Sequence, residues 1–147
     1  MKKTILITGA TGLLGKSLLN RINRDEYDII IAGRKKPESI HPSDKWVYFD
    51  LAGRDSFSEI KHADIIFHLG SATKKFDRNS DVNGTRRLIE AFRNKGLKHF
   101  IYISIVGIDK VPISYYKIKL ETEQVIINSD IPYTILRATQ FHEFFLE

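Results

Sequence analysis

The chain has no cysteine. Disulfides, thiolate metal sites and cysteine nucleophiles are therefore excluded. Apolar residues never run long enough to span a bilayer, which takes ~18 in succession. The opening Met1-Lys2-Lys3-Thr4-Ile5-Leu6-Ile7 has the charge order of a secretion signal, but its apolar run is short and leads into glycines rather than a cleavage site. Both features lead us to expect a soluble, cytoplasmic chain. Histidines are few, five in all, and show no metal-ligand spacing, so no metal is expected. The segment Lys35–Lys45 lacks apolar periodicity and is rich in Pro, Ser, His and Lys, which predicts a surface loop.

What is present fits one domain with a sizeable core: 147 residues, 42% hydrophobic and 28% charged, with a net charge of +5. The basic excess fits a solvated face or a phosphorylated small molecule better than nucleic acid.

Six short apolar runs read as strands: Thr4–Thr8, Asp28–Ala32, Trp46–Phe49, Asp64–Leu69, Phe100–Ser104 and Tyr133–Leu136. Most are continuous rather than alternating, the pattern of strands covered on both faces. Between them lie three helical stripes: Leu14, Leu18, Ile22; Thr85, Leu88, Ile89, Phe92; and Ile118, Thr122, Val125, Ile126. Asn94-Lys95-Gly96 predicts a helix stop with a left-handed glycine, and Ser129-Asp130-Ile131-Pro132 ends the last helix. This alternation predicts an α/β fold, a doubly wound parallel sheet in three αβα layers.

The first strand runs into Gly9-x-x-Gly12-x-x-Gly15. Gly9 suits a sharp turn, Gly12 lets a diphosphate approach the backbone, and Gly15 lets the helix pack close to the strand. Thr11, Leu13 and Leu14 would lie along the same phosphate, whose charge the helix start favours. The same residues fit a relaxed phosphate loop, Ala10 to Ser17, with Lys16 on phosphates, Ser17 on Mg²⁺ and Asp50 as a second metal acid. After the second strand comes Gly33-Arg34-Lys35-Lys36, with no acid for a ribose 2′-hydroxyl. Arg34 and Lys35 there predict NADP(H) in preference to NAD(H).

Thr8–Gly15, Gly33-Arg34, Asp50-Leu51, His68–Ala72, Asp81–Thr85, Tyr102–Ser104, Tyr115–Lys119 and Tyr133–Phe141 come in order. Together they resemble the atypical short-chain dehydrogenases/reductases, in particular the NmrA-like branch, with a Rossmann-type NAD(P)-binding fold. The resemblance implies that Asp50 and Leu51 border the adenine and that Gly70, Ser71 and Ala72 line the cofactor. It places Asn83 and Ser104 near the cofactor, with Thr139, Gln140 and Phe141 toward the nicotinamide ribose. It implies catalysis by Tyr115 and Lys119, four residues apart on one helix face, with Ser104 close by. The lysine would lower the tyrosine pKa and hold the ribose, and the tyrosine would exchange a proton with substrate. The serine or threonine partner of the resemblance falls on Val106.

Such proteins continue into a substrate-binding region. The expectation is thus one domain over 1–147, either a natural short form or a truncated one. Phe141, Phe144 and Phe145 form a terminal aromatic cluster that could meet a protein partner or a second copy. His68 is expected to be a packed side chain rather than a ligand. Three functions stay open: an NAD(P)H-dependent oxidoreductase, a non-catalytic NADP-binding redox module, and a phosphate-loop nucleotidase.

Overall fold

A computed structural model of the chain describes residues 1–53, 57–71 and 77–139. All six expected strands form: β1 Lys3–Thr8, β2 Tyr27–Gly33, β3 Lys45–Tyr48, β4 Ile65–His68, β5 His99–Ile105 and β6 Tyr133–Ala138. They make one parallel sheet in the order β3-β2-β1-β4-β5-β6. Helices α1 Leu13–Leu19, α2 Gly84–Arg93 and α3 Ser114–Ile127 complete a three-layer αβα Rossmann fold.

The strand sequences are apolar because both faces are covered. In β1, Ile5 and Ile7 pack on one face with Leu18 and Leu19 of α1, while Leu6 packs on the other with Leu88, Ile89 and Phe92 of α2. β2 divides in the same way, Ile29 and Ile31 against Ile30 and Ala32. β6 differs. As an edge strand it buries none of its residues fully, and Leu136 is 55% exposed.

Helix ends follow local chemistry. Gly96 takes φ +82° after α2, the left-handed stop expected of it. Asp130, at φ 59°, does the same after α3 without being glycine; aspartate tolerates that region better than most residues. Ile22 lies beyond the end of α1 but still packs in its cluster. A five-residue π turn, Asn79–Asn83, leads into α2 and escaped the periodicity reading. Its register buries Asp81 and Val82.

Chain order and strand order part company at β1. The chain moves outward through β2 and β3, then crosses back to place β4 on the other side of β1. At such a reversal the loops after the two central strands diverge and leave a crevice, where ligands of this fold class bind. Among the described residues no helix is long and apolar enough to cross a membrane.

Candidate functional site

The crevice is built by glycine clearance. Gly9, at φ +71°, would carry its Cβ 2.5 Å from Gly70 N, so the loops after β1 and β4 touch backbone to backbone. A Cβ on Gly15 would lie 2.4 Å from Gly9 O and 2.5 Å from Ala10 Cα, so α1 closes directly on the turn. Gly12 is different: its nearest neighbour would be Gly9 O at 3.4 Å, an ordinary contact. The protein itself does not require glycine there. Thr11, Gly12 and Leu13 are exposed, Leu14 is half-buried, and no side chain caps the start of α1.

A buried hydrogen-bond chain ties the central strands to α2. Gly70 N–H donates to Thr8 Oγ1 at 3.2 Å, Thr8 Oγ1 meets His68 Nδ1 at 2.8 Å, and His68 Nε2 meets Thr85 Oγ1 at 2.9 Å. Burial, helped by the Lys119 charge, pulls the His68 pKa down to about 3. The ring is therefore neutral, with one nitrogen donating and the other accepting. His68 is the packed side chain that the sequence suggested.

On the β5 side, α3 presents polar groups to the interior. Lys119 is 5% exposed. Its Nζ donates to Ile103 O at 2.9 Å and lies 4.4 Å from the centroid of the Tyr102 ring. Burial lowers its pKa to about 8, opposed by Asp81 and Glu123. Glu123, also buried, is forked by Arg137 of β6 at 3.0 and 2.7 Å. Tyr115 is half-buried; burial raises its pKa, a hydrogen bond with Ser71 lowers it, and Asp81 raises it. Burial and Asp81 also push the Tyr102 phenol up.

Register sets the height of Ser104. His68 pairs with Tyr102, so Ser104 stands two residues above β4, roughly 6–7 Å. That brings it level with the start of the loop carrying Gly70 and Ser71. Its hydroxyl is buried and has no hydrogen-bond partner among the described residues. Such an orphan costs about 1–3 kcal/mol, and an incoming polar ligand would supply the partner.

The expected residues divide into those brought together and those kept apart. Gly9 meets Gly70, and Leu51 lies beside both Gly70 and Gly84. Leu51 O accepts from the Arg87 guanidinium. Asp50 Oδ1 accepts from Ala52 N–H at 3.1 Å in its own turn. Asn83 turns away: its amide meets Asn79 and Arg86 on the outer face of the helix. Thr139 is exposed just after β6. Ala72, Gln140 and Phe141 lie outside the described residues. Asp81, 2% exposed, was missed. The available signal was its spacing to Thr85, Leu88 and Phe92, which sets a carboxylate on the buried stripe of α2.

Two expectations need correcting. The phosphate-loop reading does not fit: Lys16 and Ser17 are exposed on α1, and the strand before Asp50 lies at the sheet edge with β2 between it and β1. The C-terminal aromatic partner surface is also withdrawn. Phe141, Phe144 and Phe145 lie outside the described residues, and among those described no ring–ring contact gathers at that end.

The 40 kDa subunit of mitochondrial NADH-ubiquinone oxidoreductase from Neurospora crassa is 26% identical over 96% of this chain and 41% of its own length. The Bordetella bronchiseptica enzyme WbmH, solved with NAD+, superposes with a TM-score of 0.81 at 16% identity, over 93% of this chain and 56% of that one. The UDP-glucuronic acid 4-epimerase of Bacillus cereus, solved with NAD, gives 0.75 at 22% identity, over 93% and 56%. The fold is thus the one these two enzymes have, a Rossmann fold. This chain spans about half the length of the curated relatives it matches first. Both solved complexes hold NAD, which overturns the expected preference for NADP(H). The cations that prompted that expectation, Arg34, Lys35 and Lys36, are exposed. The NAD(P)H-binding family model matches residues 9–143, most of the chain, and the protein belongs to that family.

Proposed function

We propose that this chain is the cofactor-binding domain of an NAD(H)-dependent oxidoreductase or epimerase acting on a small molecule. The observation that carries the proposal is Lys119. A lysine only 5% exposed is rarely tolerated for packing alone, and this one sits four residues from Tyr115 on the same helix face. The NmrA-like assignment is part of the proposal, supported by the ordered motifs.

The residues present fit a dinucleotide. Gly12 leaves clearance that the protein does not fill, and Ser104 holds a buried hydroxyl without a partner. Gly9, Thr11, Gly12, Leu13, Leu14 and Gly15 would hold the diphosphate. Leu51 and Gly70 would flank the adenine side, and Ser104 and Lys119 the nicotinamide ribose. When bound, the cofactor supplies the hydride acceptor or donor.

The chain's own work is then proton transfer and orientation. Tyr115 would give a proton to, or take one from, the substrate oxygen. Lys119, near neutrality in its pKa, would contribute positive charge that favours the phenolate.

NADH-dependent reduction of a quinone or dye tests this directly. The wild type should turn over, Tyr115→Phe should lose about 100-fold in kcat, and Lys119→Met a comparable amount. Equal rates in wild type and Tyr115→Phe would remove the tyrosine from the reaction.

A further inference from the structure

Lys119 and Glu123 stand one turn apart on α3 and are both buried, at 5% and 2% exposed. A lysine and a glutamate four residues apart on a helix can reach each other, and a charge taken out of water needs a partner. Among the described residues these two nevertheless form no ion pair. Lys119 Nζ donates instead to Ile103 O at 2.9 Å and lies 4.4 Å from the centroid of the Tyr102 ring. Glu123 is claimed by Arg137, which donates from Nε to Oε1 at 3.0 Å and from a terminal nitrogen to Oε2 at 2.7 Å. Sheet register brings the arginine there. Ile103 pairs with Leu136 and Ser104 with Arg137, so Arg137 stands one position beyond the residue opposite Ile103. Asp109, in the loop after β5, lies 3.6 Å from the same guanidinium.

We propose that Arg137 is a positioning residue for Lys119: its fork occupies both oxygens of Glu123 and so keeps that carboxylate from drawing the ammonium off Ile103 O. The inference rests on the proposed role of Lys119 beside Tyr115 and the cofactor. Direction along the helix makes the contact matter. Tyr115 lies one turn toward the N-terminus of α3 from Lys119, and Glu123 one turn toward its C-terminus. Pairing with Glu123 would therefore pull the positive charge away from the phenol. Arginine suits the task, because its planar fork matches a carboxylate and stays charged. The Glu123 charge is thus balanced without using Lys119.

The other groups that act on Lys119 come from every neighbouring element. They are Asp81 from the π turn, His68 from β4 and Tyr102 from β5, with Tyr115 on α3 itself. The variants below leave all four unchanged.

The full chain, labelled with 13C at lysine Cε, reads the Lys119 titration by NMR, with Lys119→Met assigning the signal. Arg137→Met should lower the Lys119 acid dissociation constant roughly tenfold, because the freed carboxylate then pairs with the ammonium. Adding Arg137→Met to Glu123→Gln should change that constant by less than about threefold. An unmoved constant in Arg137→Met overturns the proposal. So does an equal change with and without Glu123, which would mean that Arg137 acts through its own charge. Arg137→Lys keeps a cation but not the fork, and covers the case in which Arg137→Met fails to fold. It should lower the constant roughly threefold, and a wild-type value there overturns the proposal. The second readout is NADH-dependent reduction. Arg137→Met should lower kcat roughly tenfold, and Arg137→Met/Glu123→Gln should recover most of it; an unchanged kcat in Arg137→Met also overturns the proposal. Failure of wild type to bind NAD+ would sink the functional reading, yet the lysine titration would still decide Arg137.

Discussion

The two sides of the crevice are made differently. On the β1–α1 side the backbone does the shaping: Gly9 and Gly15 exist because any Cβ would strike main chain. On the β4–β5–α3 side the shaping is done by buried polar side chains, among them His68, Asp81, Thr85, Ser104, Lys119 and Glu123. Bare backbone suits a rigid surface for an extended, charged ligand, because N–H groups donate without side-chain entropy to lose. Buried ionisable groups suit chemistry, because their pKa values move. Under the proposed function, binding and reaction would divide at the switch point of the sheet.

The largest expected effect lies on the glycine side. Gly15→Ala forces a side chain into the Gly9 carbonyl and the Ala10 backbone, and should destabilise the chain by about 3 kcal/mol in urea unfolding. A loss under about 0.5 kcal/mol would mean that α1 and the turn are not rigidly joined.

Lys119→Met should act in the opposite direction on the other side. The native fold holds this lysine at a pKa of about 8 rather than 10.5, so burying its charge opposes folding. Its removal should stabilise the chain by on the order of 1–3 kcal/mol while lowering kcat by about 100-fold. Loss of both stability and activity would instead mark Lys119 as a structural anchor through Ile103.

His68 gives the polar side a pH signature. Its folded pKa of about 3 lies below the unfolded value of 6.5, so the unfolded chain binds more protons between those values. Stability is full above about pH 6.5 and is lost as pH falls toward 3, by at most about 1.4 kcal/mol per pH unit. Asp64 adds a separate loss lower down: Lys98 and the Thr4 N–H hold its carboxyl far below the usual range, so its contribution disappears only below its unfolded value of 3.8. Urea midpoints from pH 7 to 4 check the histidine, and His68→Gln should flatten that slope. An unchanged slope would place the histidine titration elsewhere.

The smallest stability effect should come from Gly12→Ala, under about 0.5 kcal/mol, because the added methyl meets only Gly9 O at 3.4 Å. Its effect should instead be on ligand affinity. Gly12→Ala destabilising as much as Gly15→Ala would erase the distinction between packing glycine and binding glycine.

The sequence disclosed the glycine side more completely than the polar side, for a physical reason. Glycine spacing after an apolar run reports backbone geometry that is local to eight residues, and all six strands follow from equally local apolar patterns. Asp81, Ser71 and Tyr115 come together only after β4, the π turn and α3 have packed, so their meeting leaves no local spacing. The family resemblance placed Asn83 near the cofactor, but the π turn sets its amide against Asn79 and Arg86 and brings Asp81 inward. Arg34 misled because a solvated cation in a loop looks the same in sequence as one that reads a phosphate.

Calorimetric titration of the wild-type chain with NAD+ tests the central claim most directly, with NADP+ and ATP–Mg²⁺ titrated in parallel. NAD+ should bind one to one, more tightly than NADP+, with binding lost in Gly12→Val while that variant stays folded. No binding of NAD+, or binding of ATP–Mg²⁺ in its place, would contradict the account.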